Sequence, residues 1–168
     1  MGKVSYVTPL GTLHLRAYKN MLVYCNWDTE DCNRKLLKID ANISDDRMAS
    51  DEEVMENTIK QLEEYFQGVR QEFQLPVNFI GTLFQKKVWE NLSKIKYGET
   101  ATYARVAEQM GHPDAVRAVA RACGANPLAI IVPCHRVVAA RGRVGGYTGG
   151  LEKKEALLEL ERRGRSEK

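Results

Sequence analysis

A chain of 168 residues is long enough for one domain or two small ones with a true apolar core. With 43% hydrophobic and 28% charged residues it reads as a soluble globular protein, and no apolar run approaches the length of a membrane span. The net charge of +3 hides an asymmetry: residues 1–79 carry 9 Lys/Arg against 13 Asp/Glu, whereas residues 80–168 carry 16 against 9. The basic second half suits a polyanionic partner, although an unevenly charged solvated surface gives the same count. The N-terminus lacks the apolar core of a signal peptide, and the cysteines at 25, 32, 123 and 134 show no paired spacing. They read as free thiols in a reducing cytoplasm.

Residues 3–27 read as β-structure. Thr8-Pro9-Leu10-Gly11 has turn chemistry, Leu13, Leu15 and Ala17 alternate with polar residues, and Met21 to Trp27 is a second apolar run after Lys19-Asn20. Residues 28–50 are polar and weakly patterned, and are expected to be loop with one short strand around Leu36 to Ile39. Ser50 and Glu53 have the spacing of a capping box, Met55, Ile59, Leu62 and Phe66 follow at helical spacing, and Gly68 is placed to stop the helix. Gln74 to Phe79 has strand character. His14, Cys25 and Cys32 fit no zinc-ligand spacing, so no metal site is expected.

Gly81 marks the boundary between an N-terminal α/β domain, residues 1–79, and a C-terminal domain, residues 80–168. Thr82 and Gln85 form a second capping box, and Phe84, Val88, Leu92 and Ile95 make an apolar stripe that Gly98 is expected to end. Thr102 is the N-cap candidate of a short helix carrying Tyr103, Val106, Ala107 and Met110, with Gly111 at its end. His112-Pro113-Asp114 is expected to open the next helix, with proline in its first turn. Two short helices across a glycine turn make a helix-turn-helix candidate. Arg117 and Arg121 share a face of the second helix, which suits either a phosphate backbone or plain solvent. The alanines around them offer little for reading base edges.

Gly124-Ala125-Asn126-Pro127 is a sharp turn into Ile130-Ile131-Val132-Pro133-Cys134-His135-Arg136-Val137-Val138. A packing cysteine needs no charged neighbours. A nucleophilic one does, because positive charge favours the thiolate. Adjacent side chains diverge, so a direct Cys134–His135 bond is awkward. A bridging water would let His135 take the proton while a carboxylate orients its ring. Glu161 on the last amphipathic helix, about Leu151 to Arg163, is a reasonable partner, with Glu155 and Glu159 close by in sequence. On that helix Leu157, Leu158 and Leu160 are expected inside and Gly164 is expected to end it. Ala139 to Val144 reads as a hairpin-like tip, and the Gly145-Gly146-Tyr147-Thr148-Gly149-Gly150 loop lets backbone approach a flat ligand.

These blocks carry a resemblance. Gly81-Thr82, Phe84-Gln85, Val88-Trp89, Tyr97-Gly98-Glu99-Thr100 with Tyr103, Arg117-Ala118-Val119, Asn126-Pro127, the Pro133-Cys134-His135-Arg136 core and the 145–150 loop resemble, in order, the O6-alkylguanine-DNA alkyltransferases. The resemblance covers about residues 80–168. It implies an RNase H-like α/β N-terminal domain and a mainly helical C-terminal domain with a winged helix-turn-helix. It implies irreversible alkyl transfer from O6-alkylguanine, and from O4-alkylthymine, to Cys134. His135 and Glu161 would activate the thiol, Tyr103 would assist base release, and Asn126 would be the hinge. Thr102, Tyr103, Arg117, Ala118 and Arg121 would contact DNA, with Arg117 filling the gap left by a flipped nucleotide. Tyr103, Val137, Gly145, Gly146, Tyr147 and Thr148 would line the base pocket. The implied partner is double-stranded DNA containing O6-alkylguanine, met by a cytoplasmic monomer with no cofactor and no membrane contact. A non-catalytic helix-turn-helix regulator and a cysteine hydrolase are the other readings of the same residues.

Overall fold

The computed structural model describes residues 3–43 and 49–166, which fall into two compact units, Met1–Ile80 and Gly81–Lys168. In the first, β1 (Lys3–Thr8), β2 (Gly11–Tyr18) and β3 (Met21–Trp27) form an antiparallel sheet in sequence order. The Thr8 hydroxyl accepts from the Leu10 and Gly11 amides to close the first turn, and Lys19 and Asn20 both take positive φ in the second. Leu13, Leu15 and Ala17 are fully buried, as their alternation predicts.

Of residues 28–50, those described differ from expectation, and 44–48 lie outside the described residues. Thr29 caps a helix, α1 (Glu30–Asn42), by accepting from the Cys32 amide. Its buried Cys32, Leu36 and Ile39 lie at helical spacing, and Leu36 and Ile39 pack with Val23 and Tyr24. The polar residues between them are the solvent face of a helix, which is why the segment looked unpatterned. The second helix, α2 (Ala49–Phe66), contains Ser50, whose hydroxyl bonds Asn20 instead of capping. Met55, Thr58, Leu62 and Tyr65 are fully buried on it, Asp51 and Gln61 nearly so, with Ile59 and Phe66 only half-buried. Of the 74–79 segment, a single parallel bridge forms, Val77 beside Leu22.

The second unit opens with α3 (Leu83–Leu92), held by the complete Thr82–Gln85 capping box. It ends six residues before Gly98, because Ile95 already belongs to a turn in which its amide bonds the Leu92 carbonyl. Strand β4 (Ala101–Thr102) leads into α4 (Tyr103–Gln109), with Thr102 as N-cap. Gly111 follows, and α5 (Val116–Gly124) begins two residues beyond Asp114. Pro113 and Asp114 form a turn closed by the Ala115 amide on the His112 carbonyl. Helices α4 and α5 pack on each other and on α3, where the Trp89 indole donates to the Ala122 carbonyl at 2.9 Å. After a buried loop comes a 3-10 turn, Cys134–Arg136, then β5 (Val137–Val138), paired in parallel with β4. Residues 139–143 form a tip closed by the Ala139 amide on the Arg143 carbonyl.

The last helix, α6 (Leu151–Ser166), runs through Gly164. That glycine is there for space: a Cβ at 164 would overlap the Tyr97 hydroxyl and come within 3.1 Å of the ring. The inward face of α6 is also rotated from expectation. Leu158 and Leu160 are half-buried, whereas Lys154, Leu157 and Glu161, at spacings of three and four, are fully or almost fully buried. Two charged residues at the core of a helix interface require partners.

Candidate active site

The partners of Glu161 lie in the cysteine turn. Pro133 ends the apolar run and the tight 3-10 geometry that follows sends the Cys134, His135 and Arg136 side chains in different directions, all of them buried. The His135 ring meets α6, with Nε2 2.6 Å from Glu161 Oε2. Arg136 grips the same carboxylate: Nε donates to Oε1 at 2.8 Å and an Nη to Oε2 at 3.1 Å. Its other Nη donates to the Ile95 carbonyl at 2.6 Å, and its guanidinium lies 5.8 Å from the centre of the Tyr97 ring. The Gly98 amide adds a fourth contact to Glu161, at 3.3 Å.

Burial alone would raise the Glu161 carboxyl. The hydrogen bonds and charges of His135 and Arg136 outweigh it and bring the pKa down to about 2. Glu161 is therefore ionised, so the proton between it and His135 sits on Nε2. Burial pulls the imidazole below its ordinary value, offset in part by Glu161, and the ring is neutral near pH 7. Its Nδ1 is buried with no hydrogen-bond partner on the protein. The result is a basic nitrogen, oriented from behind by a carboxylate, on the residue next to a thiol.

Of the sequence-named pocket residues, Tyr103, Val137, Gly145 and Gly146 meet close to this turn. The β4–β5 pairing sets Ala101 against Val137 and Thr102 against Val138, which brings Tyr103 to the same end of the unit. The Tyr103 hydroxyl packs against Gly145, where φ is +78 and an added Cβ would sit 3.1 Å from that oxygen. Burial, with smaller contributions from the Cys123 and Cys134 thiols, raises the Tyr103 hydroxyl to about 12, so it is a proton donor. The Thr148 hydroxyl donates to the Gly124 carbonyl at 2.8 Å and docks the glycine loop on the end of α5. Asn126 holds the entry to the turn: Nδ2 donates to the Val132 and Leu128 carbonyls at 2.9 and 3.4 Å, and Oδ1 accepts from the Leu128 amide at 3.0 Å. Arg117 and Arg121 lie on the exposed face of α5, with Ala118 half-buried between them. Cys123, on the buried face of that helix, is raised to about 12, chiefly by burial and then by Cys134, and remains an unreactive thiol at neutral pH. Among the described residues no three His, Cys, Asp or Glu side chains cluster closely enough to hold a metal ion.

Sequence reading gave no role to two residues of this site. Arg136 was legible only as a positive neighbour of the thiol. Lys154 was not read at all, although its spacing from Leu157 and Glu161 puts all three on one face of α6.

Fold and site together define a nucleophilic-cysteine protein built on a helix-turn-helix unit. Comparison with known proteins gives the same class. The family model described as 6-O-methylguanine DNA methyltransferase, ribonuclease-like domain, matches residues 2–79, and the one described as the DNA binding domain of the same family matches residues 83–163. A methylated-DNA–protein-cysteine methyltransferase of Mycobacterium tuberculosis (strain ATCC 25618 / H37Rv) is 41% identical over 155 residues, covering 92% of this chain and 88% of its own. The crystal structure of the Mycobacterium tuberculosis O6-methylguanine methyltransferase superposes with a TM-score of 0.79 at 39% identity, over 96% of this chain and 92% of that one. That of Mycobacterium tuberculosis OGT in complex with DNA gives 0.78 at 36% identity, over 95% and 92%. The chain belongs to the 6-O-methylguanine DNA methyltransferase family. These matches favour neither a regulator nor a cysteine hydrolase.

Proposed function

We propose that the protein repairs double-stranded DNA by moving an alkyl group from O6 of guanine, and from O4 of thymine, to the sulfur of Cys134. The observation that carries this reading is His135: Nε2 is committed to Glu161 at 2.6 Å while Nδ1, on the residue that follows the cysteine, is left without a protein partner. One water bridging Sγ and Nδ1 carries the thiol proton to the imidazole, and the ionised Glu161 stabilises the imidazolium that forms. A sulfur lone pair forms the new S–C bond. The C–O6 bond breaks and its electron pair stays on the base. The guanine anion takes a proton from the Tyr103 hydroxyl, which is replenished from the imidazolium or solvent, so the thiol proton ends on guanine and no other reactant is consumed.

A base inside a duplex is out of reach of this buried turn and has to be extruded. Arg117, exposed on α5, fills the gap, and Thr102, Tyr103, Ala118 and Arg121 hold the backbone around it. Val137, Gly145, Gly146, Tyr147 and Thr148 line the pocket that receives the base. Asn126 is the hinge that keeps α5 and the cysteine turn in register. In this reading residues 80–168 form the DNA-binding and acceptor domain, residues 1–79 support it, and the protein acts as a cytoplasmic monomer. No described helix is long and apolar enough to cross a membrane.

The product is a thioether, which water does not cleave, so each chain reacts once. Incubation with duplex DNA bearing labelled O6-methylguanine should place one label per chain, on the peptide containing Cys134. More than one base repaired per chain, or repair surviving Cys134→Ala, would refute the proposal.

A further inference from the structure

Lys154 is the one fully buried lysine on α6, and the alkyl-transfer scheme above gives it no task. Its Nζ donates to the Val137 carbonyl at 2.6 Å and to the Gly146 carbonyl at 3.0 Å. Val137 directly follows the Cys134–Arg136 turn, and Gly146 belongs to the 145–150 loop. One ammonium thus ties the exit of the cysteine turn to the 145–150 loop. Below it lies the Tyr103 ring, with the cation 5.8 Å from the ring centre, inside cation–π range. The turn exit, the glycine loop and the Tyr103 ring therefore meet at a single positive charge.

A lysine is a costly way to join two carbonyls in the core, because its charge is stripped of water. A neutral donor would serve as well if joining were the only purpose. The retained charge has anionic candidates to face. Burial pulls the Lys154 ammonium below its ordinary value, and the groups that hold it up are the thiols of Cys134 and, less so, Cys123. Cys123 stays protonated, which leaves the Cys134 thiol as the group on which the charge acts. Arg136, the nearer cation in sequence, is already neutralised by Glu161.

We propose that Lys154 is a positioning residue for alkyl transfer, clamping Val137 to Gly146 and presenting a fixed positive charge that favours ionisation of the Cys134 thiol as His135 takes its proton. This rests on the reading of Cys134 as the alkyl acceptor. The titratable groups around that sulfur come from every element that closes the site: Tyr103 on α4, Cys123 on α5, Lys154 and Glu161 on α6, and His135 and Arg136 on its own turn. Lys154 is the cation among them whose acceptors are two carbonyls rather than a carboxylate.

The test is the pH dependence of Cys134 reacting with iodoacetamide, followed by peptide mapping. This small uncharged electrophile needs neither DNA nor the base pocket. Lys154→Gln keeps a donor for the clamp and removes the charge; Lys154→Arg keeps the charge. The glutamine variant should move the inflection up by about one pH unit, making the reaction about tenfold slower at pH values below the wild-type inflection. The arginine variant should stay near the wild-type curve. An unchanged inflection in a folded Lys154→Gln protein overturns the proposal. Should that variant not fold, the wild-type chain answers by NMR of the Lys154 Cε. The signal should step at the Cys134 inflection and lose that step once Cys134 is methylated; a signal indifferent to methylation overturns the proposal. Transfer from O6-methylguanine DNA with an unshifted inflection removes the Lys154 assignment alone. A shifted inflection in a chain that takes no methyl group from DNA upholds that assignment and refutes the function.

Discussion

Glu161 Oε2 lies 2.6 Å from His135 Nε2, and the same carboxylate takes two hydrogen bonds from Arg136. Glu161 thereby does two things at once, orienting the base and neutralising a buried guanidinium. Glu161→Gln should lose both. Removing one partner of a buried pair leaves an uncompensated charge and costs about 3–5 kcal/mol. Loss of the oriented base should slow alkyl transfer about 100-fold, within the range for acid–base groups. Urea unfolding and single-turnover rates on the folded fraction measure the two effects separately.

The same pair sets the acid sensitivity of the fold. His135 has its pKa lowered by burial, so below about pH 6.5 the unfolded chain takes up a proton that the folded chain resists, and stability falls as pH drops. Glu161 is depressed from 4.5 to about 2, so its contribution, about 3 kcal/mol, is complete above pH 4.5 and is lost as pH falls toward 2. Unfolding free energy between pH 7.5 and 3 should therefore decline in two stages. His135→Gln should flatten the first stage and Glu161→Gln the second; parallel curves for the wild type and both variants would contradict the assignment.

Asn126 satisfies two carbonyls and one amide of a loop in which Leu128, Ala129, Ile130 and Val132 are all buried. Asn126→Ala should destabilise by about 2–4 kcal/mol, because buried backbone groups are left without partners. Asn126→Asp keeps the acceptor for the Leu128 amide and, when protonated, offers one O–H donor in place of the two N–H bonds. Thermal unfolding should rank it between the wild type and the alanine variant at low pH, where the carboxyl is protonated.

Arg117 is exposed on α5. If it fills the space of an extruded nucleotide, Arg117→Ala should slow repair of duplex DNA about tenfold or more, a part of the few kcal/mol that unstacking costs. Reaction with free O6-benzylguanine should change less than about twofold, since no base has to be extruded. Equal losses on both substrates would remove the role.

Gly164 lies against Tyr97, whose ring carries the Arg136 guanidinium on its face. Gly164→Ala gains helix propensity of about 1 kcal/mol but overpacks this contact, at a cost of about 1–3 kcal/mol. The net effect should be destabilising, and adding Tyr97→Phe, which deletes the overlapping hydroxyl, should recover most of it. Chemical denaturation of the single and double variants decides between crowding and any other origin.

Local chemistry was legible in the chain wherever the signal was short-range. The alternation at Leu13, Leu15 and Ala17, the Thr82–Gln85 capping box and the Thr102 cap all form as read, because each depends on residues within a few positions of one another. The Cys134–His135 neighbourhood, with a carboxylate on the last helix, was likewise visible in residue types and order. Helix α1 was not, since its apolar face is only Cys32, Leu36 and Ile39 and becomes a signal once β3 offers Val23 and Tyr24 to pack against. The choice of Glu161 over Glu155 and Glu159, the pairing of Arg136 with that carboxylate and the burial of Lys154 were decided by the rotation of α6 about its axis. The leucines at 157, 158 and 160 allow more than one rotation. The docked helix takes the one that lets two buried charges find partners across the cysteine turn, because in a dry interface an unpaired charge costs more than a half-exposed leucine.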